Sequence, residues 1–148
     1  ENFAAFWRWL MDVRAQAHAE GKTFAAYCYS AHGENHWMRM SAQRFREVDE
    51  REVEEFISSP EWVDMFAHVK RSFAGPFGLG LKVVAPEAGF TWPEEDFDGE
   101  ESVNARREAL AGDLVARQRL LDYNSGDVQA TRAVREWMDA GAPGTTAL

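Results

Sequence analysis

The chain of 148 residues has a single cysteine, Cys28. An internal disulfide is therefore excluded, and a reducing, cytoplasmic setting is expected. No apolar run approaches the roughly 20 residues of a membrane-spanning helix. No secretory leader pattern opens the chain, so no membrane association is expected. Basic residues are scarce, with 16 Lys and Arg against 25 Asp and Glu and a net charge of −9. That balance argues against a general polyanion binder, whose affinity comes largely from cations on phosphates. It leaves room for a local acidic metal site with a few cations beside it. There is no internal repeat, and no Ser/His/Asp or Cys/His arrangement stands out.

Apolar residues are plentiful: 45% of the chain is hydrophobic, with six Trp and ten Phe. A chain of this length buries about two-thirds of its unfolded surface, so one domain over residues 1–140 is expected. Gly141 to Leu148 reads as a flexible tail.

Phe3, Phe6, Trp7, Leu10 and Val13 follow helical spacing, closed by Gly21. Thr23 to Ala31 reads as one strand, apolar on both faces as a central strand is. His32-Gly33 is expected to turn the chain, with Glu34 opening a helix that carries Trp37, Met38 and Phe45. Asp49 and Glu52 make a capping box before Val53, Phe56 and Ile57. Ser59-Pro60 is expected to start a helix with Trp62, Phe66, Val69 and Phe73 on one side. Gly75 to Gly80 reads as a loop, Leu81 to Ala85 as a short helix ended by Pro86, and Glu94 to Glu101 as an acidic loop. Helices over Ser102 to Leu110 and Leu114 to Ala140 complete the set. One strand among five or more helices leaves its ladder groups without partners. The chain thus reads as a piece of a longer protein, with partner strands before Glu1.

The last helix holds the best clue to chemistry. Ala116, Leu120, Tyr123, Asp127, Ala130, Val134 and Trp137 recur at alternating steps of four and three, one face of a helix. Every member packs readily against a core except Asp127. A carboxylate held from water is costly unless a cation, a metal or strong donors satisfy it. Tyr123 lies one turn earlier on that face. The alternative is that Gly126 breaks the helix and Asp127 caps a second one.

Glu34 follows the strand, at the kind of strand end where α/β ligands gather; a glutamate there also suits the helix dipole. His32 and His36 with Glu34 between them resemble a zinc motif, but the glutamate is one place late and Gly33 at the helix start separates the imidazoles. Gly75 to Lys82 looks like a phosphate loop, yet Leu81 stands where a Walker lysine belongs; Lys82 can still meet a backbone phosphate. Glu94, Asp96, Asp98 and Gly99 begin like a calcium loop, but Ala105 falls where the closing glutamate belongs. Cys28 reads as packed rather than reactive.

Tyr-Ser-Ala-His-Gly-Glu34, Gly-Leu81-Lys82-Val-Val-Ala and Tyr123-Asn-Ser-Gly-Asp127 together resemble the ribonuclease H-like 3′–5′ exonucleases of the DEDD type, tyrosine subclass. The chain is similar in particular to the C-terminal domain of the RecB-like predicted nucleases of bacteria, over roughly Phe3 to Met138. The resemblance implies a helix-rich α/β fold, the latter part of a ribonuclease H-like domain with its first strands missing. It implies two-metal hydrolysis of DNA or RNA, with Glu34 and Asp127 as ligands of Mg²⁺ or Mn²⁺. Tyr123 would orient the attacking water rather than attack, since a phenol ordinarily ionises near pH ~10. The family's Asp-x-Glu on a first strand has no counterpart here. Asp98-Gly-Glu100 comes after the second motif and cannot stand in, so a missing N-terminal segment of the same protein is implied. A non-catalytic interaction module that keeps the fold is the alternative, and a zinc hydrolase a third.

Overall fold

The computed structural model describes residues 2–93, 97 and 99–145. Among them are seven helices and two short strands. The chain divides into two compact units, residues 1–68 and 69–148.

In the first unit, α1 (Asn2–Ala19) ends at Gly21 as expected and leads to β1 (Ala26–Cys28). The long strand expected over Thr23 to Ala31 shrinks to these three residues, and Tyr27 is 40% exposed. The lone-strand expectation also fails. Trp62–Asp64, read above as helical, is β2, which pairs parallel to β1 with Cys28 opposite Asp64. Three residues are too few to show a period of two, and the Trp and Phe that follow mimic a helical stripe. Two helices form the crossover, α2 (Ala31–Phe45) and α3 (Glu50–Ile57). Asp49 caps α3, accepting the Arg51 N–H at 2.8 Å. The other arm of the expected box, Glu52, instead accepts the Trp7 indole N–H at 2.8 Å. That bond fastens α1 to α3 above a core of Trp7, Leu10, Met38, Ala42, Val53 and Phe56. Trp7 and Phe56 meet edge to face at 5.6 Å, an arrangement that adds to area burial.

α4 (Met65–Ser72) carries the chain into the second unit. There α5 (Leu81–Glu87) and α6 (Gly99–Leu110) pack on α7 (Leu114–Asp139). α5 runs past the expected stop, with Pro86 inside its last turn. It closes when Gly89, at φ +80°, lets the Phe90 N–H reach the Ala85 carbonyl and its own N–H reach that of Pro86. This reversal needs the left-handed backbone that glycine adopts freely, and it sends Phe90–Trp92 back toward α7. α6 begins at Gly99, so Gly99 to Glu101 of the expected acidic loop are helical. Glu94, Glu95, Asp96 and Asp98 lie outside the described residues, and with them the calcium-like pattern. Beyond α7, Ala142 is buried and the Trp137 indole donates to the Pro143 carbonyl at 3.0 Å.

Candidate active site

α7 runs unbroken through Gly126, capped by Asp113, whose carboxylate accepts the Val115 and Ala116 N–H groups. Asp127 is therefore an interior residue, and the reading of Gly126 as a break with Asp127 as a cap is corrected. The glycine is there for another reason. A Cβ at Gly126 would stand 2.9 Å from Trp92 Cδ1 and 3.2 Å from its Nε1. Lacking one, the helix lets the indole lie directly on its backbone. The ring's N–H then donates to Asp127 Oδ1 at 2.9 Å.

The apolar stripe of α7 is buried or half-buried along its length, and Asp127 sits in it half-buried. Burial pushes its carboxyl above the ordinary aspartate range; the Trp92 bond and the Lys82 charge pull the other way. No described residue donates a hydrogen bond to its Oδ2. Lys82, in the first turn of α5, holds its ammonium 4.3 Å from the Trp92 ring centroid and 5.0 Å from that of Tyr123. Contacts of this kind contribute about 0.5–2 kcal/mol each as water is excluded. Tyr123 in turn packs on buried Phe97 at 5.0 Å. A cavity of about 320 Å³ opens beside the group, lined among others by Trp92, Phe97, Arg119, Tyr123 and Gln129. Three residues singled out from the sequence, Lys82, Tyr123 and Asp127, are thus assembled in one cluster. Trp92, which joins them, was not singled out.

Glu34 belongs to the first unit. The chain turns before α2 at Ser30, φ 70°, not at His32-Gly33, so both histidines and Gly33 lie within the helix. His32 and His36 therefore share the helical frame that the sequence reading denied them, one turn apart. The turn is secured by Asp64 at the end of β2. Its Oδ1 accepts the Ser30 and Phe66 N–H groups, each at 2.9 Å. The Trp62 indole adds a second tie by donating to Asn35 Oδ1 at 2.7 Å. Glu34 is exposed by area, yet it stands in the wall of an apolar cavity of about 520 Å³ with Phe3, Phe6, Trp37 and Trp62. Desolvation there pushes its carboxyl up. Its own backbone N–H opposes this, and the charge of Asp64 adds to it. The same surroundings push the buried Cys28 thiol up to about 12, first by burial and then by Asp64 and Glu34. A thiol so placed has almost no thiolate at neutral pH.

Lys82 is helical rather than part of a phosphate-binding loop; the Val83 and Val84 N–H groups point back to the Gly80 carbonyl. Among the described residues, no three His, Cys, Asp or Glu side chains converge as a metal-holding group. No described helix is long and apolar enough to cross a membrane.

A family model described as RNase_H superfamily matches residues 8–139. Comparison with curated proteins and with solved structures returns no match in either set.

Proposed function

The chain belongs to the RNase H superfamily, and from that premise we propose that it is part of a metal-dependent nuclease acting on phosphodiester bonds of DNA or RNA. The finer reading is a 3′–5′ exonuclease of the DEDD type, tyrosine subclass, within a RecB-like bacterial protein. The observation that carries it is the meeting of Asp127, Tyr123 and Lys82 on one half-buried patch. A desolvated carboxylate, a phenol one turn away and an ammonium within reach are what phosphoryl hydrolysis asks of a protein.

As carboxylates, Asp127 and Glu34 would each offer hard oxygen donors of the kind Mg²⁺ or Mn²⁺ takes. The set is incomplete among the described residues. In this reading an Asp-x-Glu on a strand upstream of Glu1 supplies the rest. Bound there, a divalent ion would supply activation of water and charge stabilisation on the reacting phosphate oxygens. The chain's own groups do the remaining work. The Tyr123 hydroxyl orients the attacking water, and its ring stands beside the Lys82 ammonium. The Lys82 ammonium meets a phosphate oxygen of the substrate. The apolar surround of Trp92 and Phe97 strengthens these charge interactions by excluding water.

The alternative, an interaction module without catalysis, draws support from the same cluster. Trp92 and Lys82 already give Asp127 a donor and a counter-charge, so a buried carboxylate can persist there without metal. Cleavage decides between the two. In the protein that carries the upstream carboxylates, Asp127→Asn should lower chelator-sensitive cleavage by orders of magnitude. Tyr123→Phe should lower it less, since it removes one hydrogen bond to water and no ligand. Residues 1–148 alone should cleave poorly. Near-normal cleavage by Asp127→Asn at saturating Mg²⁺ refutes the nuclease assignment for this residue.

A further inference from the structure

The first unit carries an apolar face that the reaction does not use. Phe3 and Phe6 of α1 and Trp37 of α2 stand in the wall of one cavity of about 520 Å³, so the outer surfaces of the two helices are continuous there. Phe6 extends the face to Trp9, ring to ring at 6.1 Å. Trp37 is 66% exposed, Trp9 59%, Phe6 45% and Phe45 44%. At roughly 150–250 Å² for each aromatic side chain, the four leave about 300–500 Å² of ring surface in water. That alone matches the largest apolar patch of an ordinary monomer, about 300–600 Å², and exposed Val13 adds to it.

On α2 the face consists of Glu34, Trp37, Ser41 and Arg44. Their steps of three, four and three keep them on one side of the helix. A carboxylate stands at one end and a cation at the other, with a large and a small side chain between them. The Arg44 guanidinium is seated over the Phe45 ring, 5.3 Å from its centroid. Arg39 lies on another side of the helix, held by Glu54 of α3. Such a face is complementary to itself, because in a two-fold pair residue i meets j while j meets i. Two α2 helices laid antiparallel set Glu34 of each copy against Arg44 of the other, and Trp37 against Ser41. A parallel pair sets like charge against like. We infer that this face joins two copies of the chain, antiparallel along α2, with each Trp37 entering the other copy's cavity beside Ser41. A standard interface takes about 800 Å² from each partner, and the rings supply roughly half of that. A pair of micromolar strength that separates on dilution is therefore expected. The inference stands apart from the nuclease reading, since its readout is mass and not cleavage. Glu34 is shared with that reading, so pairing is measured without metal.

The test is sedimentation equilibrium of residues 1–148 in metal-free buffer, at roughly 1–200 µM to cover such an affinity. The mass should rise with concentration from 16.8 kDa toward twice that value. Trp37→Ala should weaken pairing about tenfold or more, as loss of a central aromatic anchor does. Glu34→Arg and Arg44→Glu should each abolish pairing across the range, and the two together should restore it. Circular dichroism checks the fold of every variant. Trp37 is exposed, so Trp37→Ala decides where a reversed charge does not fold. A chain that stays at 16.8 kDa throughout overturns the inference and gives the face to another occupant. Pairing that survives Trp37→Ala, or both single reversals, overturns it as well, since another surface is then responsible. A folded double variant that does not regain the pairing lost in each reversal overturns the antiparallel register.

Discussion

Gly126→Ala sets two effects of known sign against each other. Alanine in a helix interior is favoured over glycine by about 0.8–1.0 kcal/mol. Against that, the new Cβ would meet Trp92 at 2.9 and 3.2 Å, closer than either group tolerates, and the indole must withdraw. Withdrawal breaks its hydrogen bond to the Asp127 carboxylate, a charged acceptor for which about 1.5–3 kcal/mol is typical. It also separates the ring from the Lys82 ammonium, about 0.5–1 kcal/mol at a partly exposed site. The balance is a net loss of about 1–3 kcal/mol. At roughly 2–4 °C per kcal/mol for a chain of this size, Tm should fall by about 2–12 °C. Gly33→Ala is the control. Gly33 is helical and exposed, and nothing lies within 4 Å of its added Cβ, so that variant should be neutral or stabilised by up to about 1 kcal/mol. Thermal and denaturant unfolding followed by circular dichroism measure both. Should Gly126→Ala match or exceed the wild type, Trp92 does not lie on Gly126 and the account of the cluster fails.

Three further outcomes are expected. Without metal, Asp127→Asn should be as stable as the wild type or more so near neutral pH. Because burial raises the folded-state pKa of Asp127, the stability linked to its proton is present below the unfolded pKa and lost as pH rises through the folded one. The difference between the two proteins in denaturant unfolding should therefore shrink as pH falls through the carboxylate range, and a constant difference contradicts this. Asp64→Ala removes the acceptor of the exposed Ser30 N–H and the part-buried Phe66 N–H and should destabilise by about 0.5–1.5 kcal/mol. Asp64→Asn keeps an acceptor oxygen and should lose clearly less in the same measurement. Cys28, buried with its thiol pushed up to about 12, should resist alkylation near pH ~8 until the chain is unfolded; prompt labelling of the native protein contradicts that.

What the sequence revealed depended on length and proximity. The α7 stripe from Ala116 to Trp137 spans many turns, so its period and the misfit of Asp127 within it were readable without a structure. Tyr123 came with it, being one turn away. β2 has three residues, fewer than any alternation needs, and its pairing with β1 answers to chain 36 positions distant, as the register of Ala26 with Trp62 shows. Asp64 and Trp92 were missed for that same reason. Asp64 acts on Ser30 and Trp92 acts on Asp127, each across more than 30 residues, where no local pattern reports contact. One signal was available. A glycine inside a strong helical stripe has two explanations, a break or a close approach by another group, and the unbroken spacing on both sides of Gly126 favoured the second.

Whether Asp127 and Glu34 hold divalent cations, as proposed, is tested without recourse to cleavage by paramagnetic broadening of backbone amides by Mn²⁺. On titrating Mn²⁺ into isotopically labelled chain, the amides flanking Asp127 and those flanking Glu34 should broaden before the rest. Asp127→Asn should spare the first group. Amides around Asp127 that stay sharp at saturating Mn²⁺, or that broaden equally in Asp127→Asn, would contradict the account.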